Sequence, residues 1–210
     1  FEVIELQMDE PTLDDTMPDN ERLTWALQAQ TGKDNVKLSF TVLRKMAKVF
    51  RESAFAVKAV ATVKDEEVFV YDVLPAGEEV SAYGIAIDIG TTTVSGVIID
   101  LLSGKILAKA SSGNGQIRYG ADVINRIIEQ QKPGGVEKLQ KAVVEETMNP
   151  MIVNMCRAAK IAPECIYRMS IGANTTMNHL LVGVDGDPIR MEPFIPTFFG
   201  TDSIHGRDLG

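Results

Sequence analysis

"AYGIAIDIGTTTVSGVIID", residues 82–100, sets two apolar, strand-length runs on either side of Gly90 and three successive threonines, with Asp88 near the end of the first run. Runs of this length, rich in Ile and Val, read as buried strands, and the Gly-Thr step between them as a tight hairpin turn. Two readings of that turn stand side by side. In one, Gly90 only permits the turn and the threonines are ordinary strand formers. In the other, backbone N–H groups converge on phosphate oxygens, with the hydroxyls of Thr91, Thr92 and Thr93 as further donors. Asp88 would then hold a hydrated Mg²⁺ against the same phosphates. The continuous strand on each side favours the phosphate reading.

Working outward, "KILAKASS" adds a third strand, so residues 83–112 form a meander. After the loop "GNGQIRYG" comes a helix bearing Val123, Ile124, Ile127 and Ile128, then a Pro133-Gly134-Gly135 break. A long helical stretch follows from about Val136 to Ala159, in which Pro150 predicts a kink or a change of helix. "CIYRMSIGAN" reads as a buried strand, and Thr175 to Leu181 as a further helix. Strands and helices in this order describe a mixed α/β lobe.

Upstream, "FEVIELQM" reads as a short strand followed by an acidic, turn-rich connector through Pro18. Asp19 or Asn20 caps a short helix with Leu23, Ala26 and Leu27 that stops at Gly32. Ser39 caps another, with Leu43, Met46, Ala47, Phe50 and Ala54 on one face. "AFAVKAVATV" and "EVFVYDVLP" supply two strands joined by a Lys64 to Glu67 turn. The predicted organisation is a linker over 1–34, a small α/β module over 35–81 and an α/β lobe over 82–210.

The 210 residues are 45% hydrophobic, enough for a proper core, and no apolar run approaches the roughly 20 residues that cross a bilayer. With no signal-peptide pattern, the expected location is the cytoplasm. The formal charge of −8 argues against nucleic acid, whose phosphates need a basic face. Most of that excess lies in residues 1–81, and the first 21 residues hold eight acids and no Lys or Arg. Such a segment suits a solvated tether or a docking face for a basic partner. Cys156 and Cys165 are the only cysteines, too few for an iron-sulfur cluster or a structural zinc. Phe1 in place of an initiator Met suggests a piece of a longer chain.

"YGIAIDIGTTTVSGVIIDLLSGKILAKAS" resembles the first phosphate motif of the actin-like (ASKHA) superfamily, which holds the acetate and sugar kinases, and "NGQIRYGADVINRI" and "MSIGANTTMNHLLVG" are similar to one branch of it, the ATP-dependent reductive activators of corrinoid proteins. The resemblance implies a ribonuclease H-like, actin-like first lobe behind a linker and a small α/β module. It implies reduction of a Co(II) corrinoid to Co(I) on a cobalamin-binding methyl-transfer protein, with ATP and Mg²⁺ as cofactors. The electron would come from a [2Fe-2S] ferredoxin-like domain whose four cysteines are absent here, and the second nucleotide-binding lobe is absent too. The fragment alone is therefore expected neither to carry the electron nor to hydrolyse ATP well. A homodimer is compatible with the resemblance.

Carried over by the resemblance, Asp88 serves the metal and the phosphates, and Gly90, Thr91, Thr92 and Thr93 form the phosphate turn. Asn114, Gln116 and Tyr119 line the cleft or face the corrinoid, and Asn174, Thr175 and Thr176 present donors where a strand enters a helix. Against these stand plainer readings: an i,i+4 salt bridge for Asp122 and Arg126, a helix cap for Asn174, a structural role for His179, and core filling for Met148, Met151 and Met155. A kinase of a small hydroxyl compound shares the phosphate turn, and a non-catalytic scaffold is the remaining alternative.

Overall fold

The computed structural model describes residues 1–201, 204 and 206–209, and the chain folds as two compact units, Phe1–Ala82 and Tyr83–Gly210. Both are mixed α/β, as the sequence implies. Among the described residues no helix is long and apolar enough to cross a membrane.

The first unit runs β1 (Glu2–Gln7), α1 (Asp19–Thr31), β2 (Asn35–Leu38), α2 (Phe40–Glu52), β3 (Ala56–Lys64) and β4 (Glu67–Pro75). Its sheet has the order β1-β3-β4-β2, with β2 parallel to β4 and the other pairings antiparallel. Residues 1–34, expected as a linker, thus contribute a strand paired along its whole length to β3, and α1 packs into the same core. The four-residue β2 was not expected; so short a run between a helix stop and a helix cap offers no periodicity to read.

Ser39 caps α2 by accepting the Val42 N–H at 3.2 Å, as its position predicts. The buried face differs from the expected one. Val42, Met46 and Phe50 face the core, whereas Leu43 and Ala47 are exposed and Ala54 lies beyond the helix. Met46 and Phe50 are common to both faces, so the packed stripe is turned toward Val42 by less than the 100° step of one residue. Gly32 ends α1 in the left-handed region, as expected, but Pro18 rather than Asp19 or Asn20 precedes its first turn.

The second unit contains β5 (Tyr83–Ile89), β6 (Thr93–Asp100), β7 (Ile106–Gly113), a 3₁₀ turn (Gly115–Tyr119), α3 (Val123–Gln130), α4 (Gly135–Val143), α5 (Asn149–Ala159), β8 (Ile166–Ala173), α6 (Thr175–Val182) and α7 (Asp187–Arg190). The sheet order is β7-β6-β5-β8: an antiparallel meander extended by one parallel strand. Ile85, Ile87 and Ile89 alternate onto one sheet face and pack with Val94 and Ile98 against Leu139, Met151 and Met155. The break expected at Pro150 appears as a π-helical turn, Val144–Met148, immediately before α5, where Pro150 occupies the first turn and its missing N–H costs nothing.

Parallel pairing places Ile89 beside Ala173, so the β5–β6 turn and the N-terminus of α6 emerge side by side at the same sheet edge. In α/β sheets this carboxyl edge is where ligands collect. For the first unit's core, Phe50→Ala should lower stability by about 3–5 kcal/mol, read by urea denaturation with a probe in residues 1–82, because Phe50 is fully buried. A loss below about 1 kcal/mol would mean that α2 is packed otherwise.

Candidate functional site

The 90–93 turn is shaped from behind. Gly90 N–H donates to Thr93 O at 2.9 Å, and a Cβ on Gly90 would lie 2.7 Å from that same carbonyl oxygen, so no other residue fits without moving the turn. Three successive carbonyls are then bonded from neighbouring segments. Asn114 Nδ2 donates to Gly90 O at 2.9 Å, Arg126 Nη2 donates to Thr91 O at 2.5 Å, and the Asn114 N–H donates to Thr92 O at 2.8 Å.

A trans peptide sends its C=O and the following N–H in opposite directions. Drawing the carbonyls of Gly90 and Thr91 toward Asn114 and Arg126 therefore turns the N–H groups of Thr91 and Thr92 the other way. Among the described residues neither of these two N–H groups has a hydrogen-bond partner. Thr92 and Thr93 are exposed and Thr91 is half-buried, so their hydroxyls share the outward side. Adjacent unpaired amides of this kind form a concavity suited to an anion.

Asp88 lies on the opposite sheet face from Ile87 and Ile89, exposed, with its carboxylate bonded to none of the described residues. It borders an open depression of about 360 Å³ with Ser95, Val97 and Lys109. Across the edge, Asn174 does two things at once: its Oδ1 accepts the Met177 N–H at 2.9 Å as the cap of α6, and its Nδ2 reaches Thr91 Oγ1 at 3.4 Å. Thr175 is half-buried beside it, while Thr176 is 6% exposed and faces the interior. The structure thus brings Asp88, the threonine turn and Asn174–Thr175 to one edge.

Asn114 and Gln116 are placed elsewhere than expected. Each is 1% exposed, and their amides bind protein groups: Asn114 as above, and Gln116 through Nε2 to Leu139 O at 2.9 Å. They support the turn from inside and have no surface to offer a ligand. Tyr119 is half-buried against the core. The expected salt bridge between Asp122 and Arg126 does not form either. Asp122 caps α3 by accepting the Asn125 N–H at 2.8 Å, and Arg126 turns inward.

Arg126 is fully buried and was missed as a functional residue. Its Nε donates to Gly120 O at 2.8 Å, its Nη1 approaches Gln116 Oε1 at 3.4 Å and Met177 Sδ at 3.3 Å, and its Nη2 holds Thr91 O. All are neutral acceptors. Burial lowers its pKa and the Asp122 carboxylate partly opposes that, but a guanidinium stays protonated. The readable signal was periodicity: Val123, Arg126, Ile127 and Gln130 recur at i, i+3, i+4 and i+7, whereas Ile124 and Ile128 are exposed.

His179 is a structural residue. Its Nε2 accepts the Thr197 N–H at 3.2 Å, so Nδ1 carries the proton given to Thr175 O at 2.8 Å, and the ring stacks on Phe198 at 4.2 Å. Both nitrogens are engaged. Met148, Met151 and Met155 fill the core. Cys156 is buried, and burial first, with Glu164 adding, pushes its thiol pKa up, away from reactivity.

Residues 83–210 match the family model described as the RACo middle region, and residues 1–79 match that of the RACo linker region. The chain belongs to the RACo family. Among its relatives, the corrinoid activation enzyme RamQ of Eubacterium limosum is 36% identical over 141 residues, covering 66% of this chain and 24% of that protein. A solved structure, the reductive activator for corrinoid, iron-sulfur protein, is 34% identical and superposes with a TM-score of 0.81 over 93% of this chain and 31% of its own. This RACo chain therefore spans about a quarter of the length of the first relative and under a third of the second, and the solved structure shares its fold over that span.

The two halves of this RACo site respond differently to mutation. Asn114→Ala should cost about 2–3 kcal/mol in urea denaturation, because it leaves a buried carbonyl and a buried N–H without partners. Thr92→Ala, on the exposed side, should stay within about 0.5 kcal/mol of wild type. Equal effects would contradict the division into buried support and outward face.

Proposed function

We propose that the protein bearing this chain is an ATP-dependent activator that returns a Co(II) corrinoid to Co(I) on a cobalamin-binding methyl-transfer protein, and that residues 83–210 are half of its nucleotide site. Its relatives are, by name, a corrinoid activation enzyme and a reductive activator. The observation that carries the nucleotide reading is the pair of outward, unpartnered N–H groups at Thr91 and Thr92 beside the free carboxylate of Asp88. The order of the second sheet, three antiparallel strands and then a parallel one, suits the actin-like lobe in which such turns bind phosphate.

The residues present fit a Mg-nucleotide. Magnesium keeps most of its water and is typically held by one or two carboxylates together with substrate phosphates, which a single exposed Asp at the strand end satisfies. Bound there, the metal would offset phosphate charge. The chain's own part is to orient: Thr91 and Thr92 present N–H groups, the three threonine hydroxyls add donors, and Asn174 with Thr175 bounds the far side. The same residues do not fit a [2Fe-2S] cluster. One cysteine is buried in α5 and the other precedes β8, and among the described residues no three His, Cys, Asp or Glu groups are placed to share a metal. The electron carrier is assigned outside this chain.

ATP bound at this edge would favour the state of the protein that docks the corrinoid partner, so that binding energy assists an otherwise unfavourable reduction. The test is the rate of Co(I) formation, followed by its visible absorption, in the full-length protein with its corrinoid partner and Mg-ATP. Asp88→Ala should slow it by about 10- to 100-fold, the scale for losing an outer partner of a metal. An unchanged rate removes Asp88 from the site.

A further inference from the structure

Arg126 is a cation placed where charge is costly. Removing a charged group from water costs several kcal/mol unless a counter-charge or a full set of hydrogen bonds replaces the solvent. Among the described residues no carboxylate lies within ion-pair distance of it; its partners are two backbone carbonyls, an amide oxygen and a thioether. For tying a loop to a helix a neutral donor would serve, as Asn114 does one residue away at Gly90 O. What distinguishes Arg126 is that its shortest contact, at 2.5 Å, is to the carbonyl of the Thr91–Thr92 peptide, whose N–H faces outward in the middle of the threonine turn.

We propose that Arg126 is a positioning residue for a phosphate-bearing ligand: it draws the Thr91 carbonyl inward, which turns the Thr92 N–H outward, and its buried positive charge stands one peptide behind that donor. The inference rests on the nucleotide reading of the turn. The peptide between Thr91 and Thr92 is a relay, with its oxygen on the guanidinium and its N–H on the phosphate, so that each hydrogen bond polarises the other. A phosphate on the far side supplies the counter-charge that the interior lacks. The exposed face around the turn holds Asp88, and the charged group on the buried side is Arg126, so the turn keeps its attraction for an anion beside a carboxylate.

The test uses the full-length protein, Arg126→Met and Arg126→Lys, each checked for folding by thermal melting and titrated calorimetrically with Mg-ATP, inorganic tripolyphosphate and adenosine. Arg126→Met should weaken ATP and tripolyphosphate by about tenfold or more, the scale of one charge-assisted hydrogen bond, and leave adenosine unchanged. Arg126→Lys, which keeps the charge and one donor, should lose about threefold, a partial rescue expected of a point charge in place of a planar fork. If Arg126→Met does not fold, the lysine variant carries the comparison, with the Thr92 amide resonance in threonine-labelled protein as second readout: it should shift on adding tripolyphosphate in wild type and shift less in Arg126→Lys. Undiminished phosphate affinity in the folded variants, or a loss equal for adenosine, overturns the role of Arg126 while leaving the phosphate site standing. Wild-type protein that binds neither ATP nor tripolyphosphate overturns both.

Discussion

A trans peptide cannot direct its carbonyl and its N–H to the same side, and the second unit is arranged around that constraint at residues 90–93. Three carbonyls in succession are bonded from the interior, by Asn114 through side chain and main chain and by Arg126. The outward N–H groups follow without any further device. To bring the donors there, the chain after β7 must fold back under the turn. It does so through the 3₁₀ turn and α3, which Gln116 ties to Leu139 O of α4 and Gln130 ties to the chain after α6, donating to Val184 O at 2.9 Å.

The π-helical turn belongs to the same arrangement. A wider turn shifts the register of the residues that follow it. Here it presents Thr147, whose hydroxyl donates to Ala142 O at 2.7 Å and accepts the Gly115 N–H at 3.0 Å. One threonine thereby satisfies both the loosened helix and the segment that carries Asn114 and Gln116. The helical layer under the sheet is thus an apolar cover through Leu139, Met151 and Met155 and also the anchor for the loop that shapes the turn.

Much of this was legible in the residues. The meander, the existence of the strand leading into α6 and the turn itself follow from apolar runs punctuated by Gly90 and the threonines, since strands and turns are signalled locally. That strand, β8, however, lies at the sheet edge with none of its residues buried, not in the interior as its apolar run suggests. The family resemblance rested on those same stretches. What could not be read was which polar groups are interior. Asn114, Gln116 and Arg126 look like loop and surface residues because polar side chains are usually solvated, and their burial depends on partners 10 to 35 residues away in sequence. In α2 the expected face held Leu43 and Ala47 where Val42 packs, with Met46 and Phe50 common to both, and in α3 the apolar Ile124 and Ile128 are exposed while the polar Arg126 and Gln130 complete the buried stripe. The strand β2 is too short for any periodic signal, and β1 was placed in a linker because its pairing partner lies about 50 to 60 residues downstream, from Gln7↔Ala56 to Glu2↔Ala61.

The central claim is that the outward N–H groups of Thr91 and Thr92 receive phosphate. It is tested most directly by a crystal structure of the full-length protein with Mg²⁺ and a non-hydrolysable ATP analogue. The account predicts phosphate oxygens within about 3 Å of both N–H groups, with Asp88 reaching the metal through water and the Arg126 contact to Thr91 O intact. Phosphates bound away from the turn, or a turn with the Thr91 carbonyl facing the ligand, would contradict it.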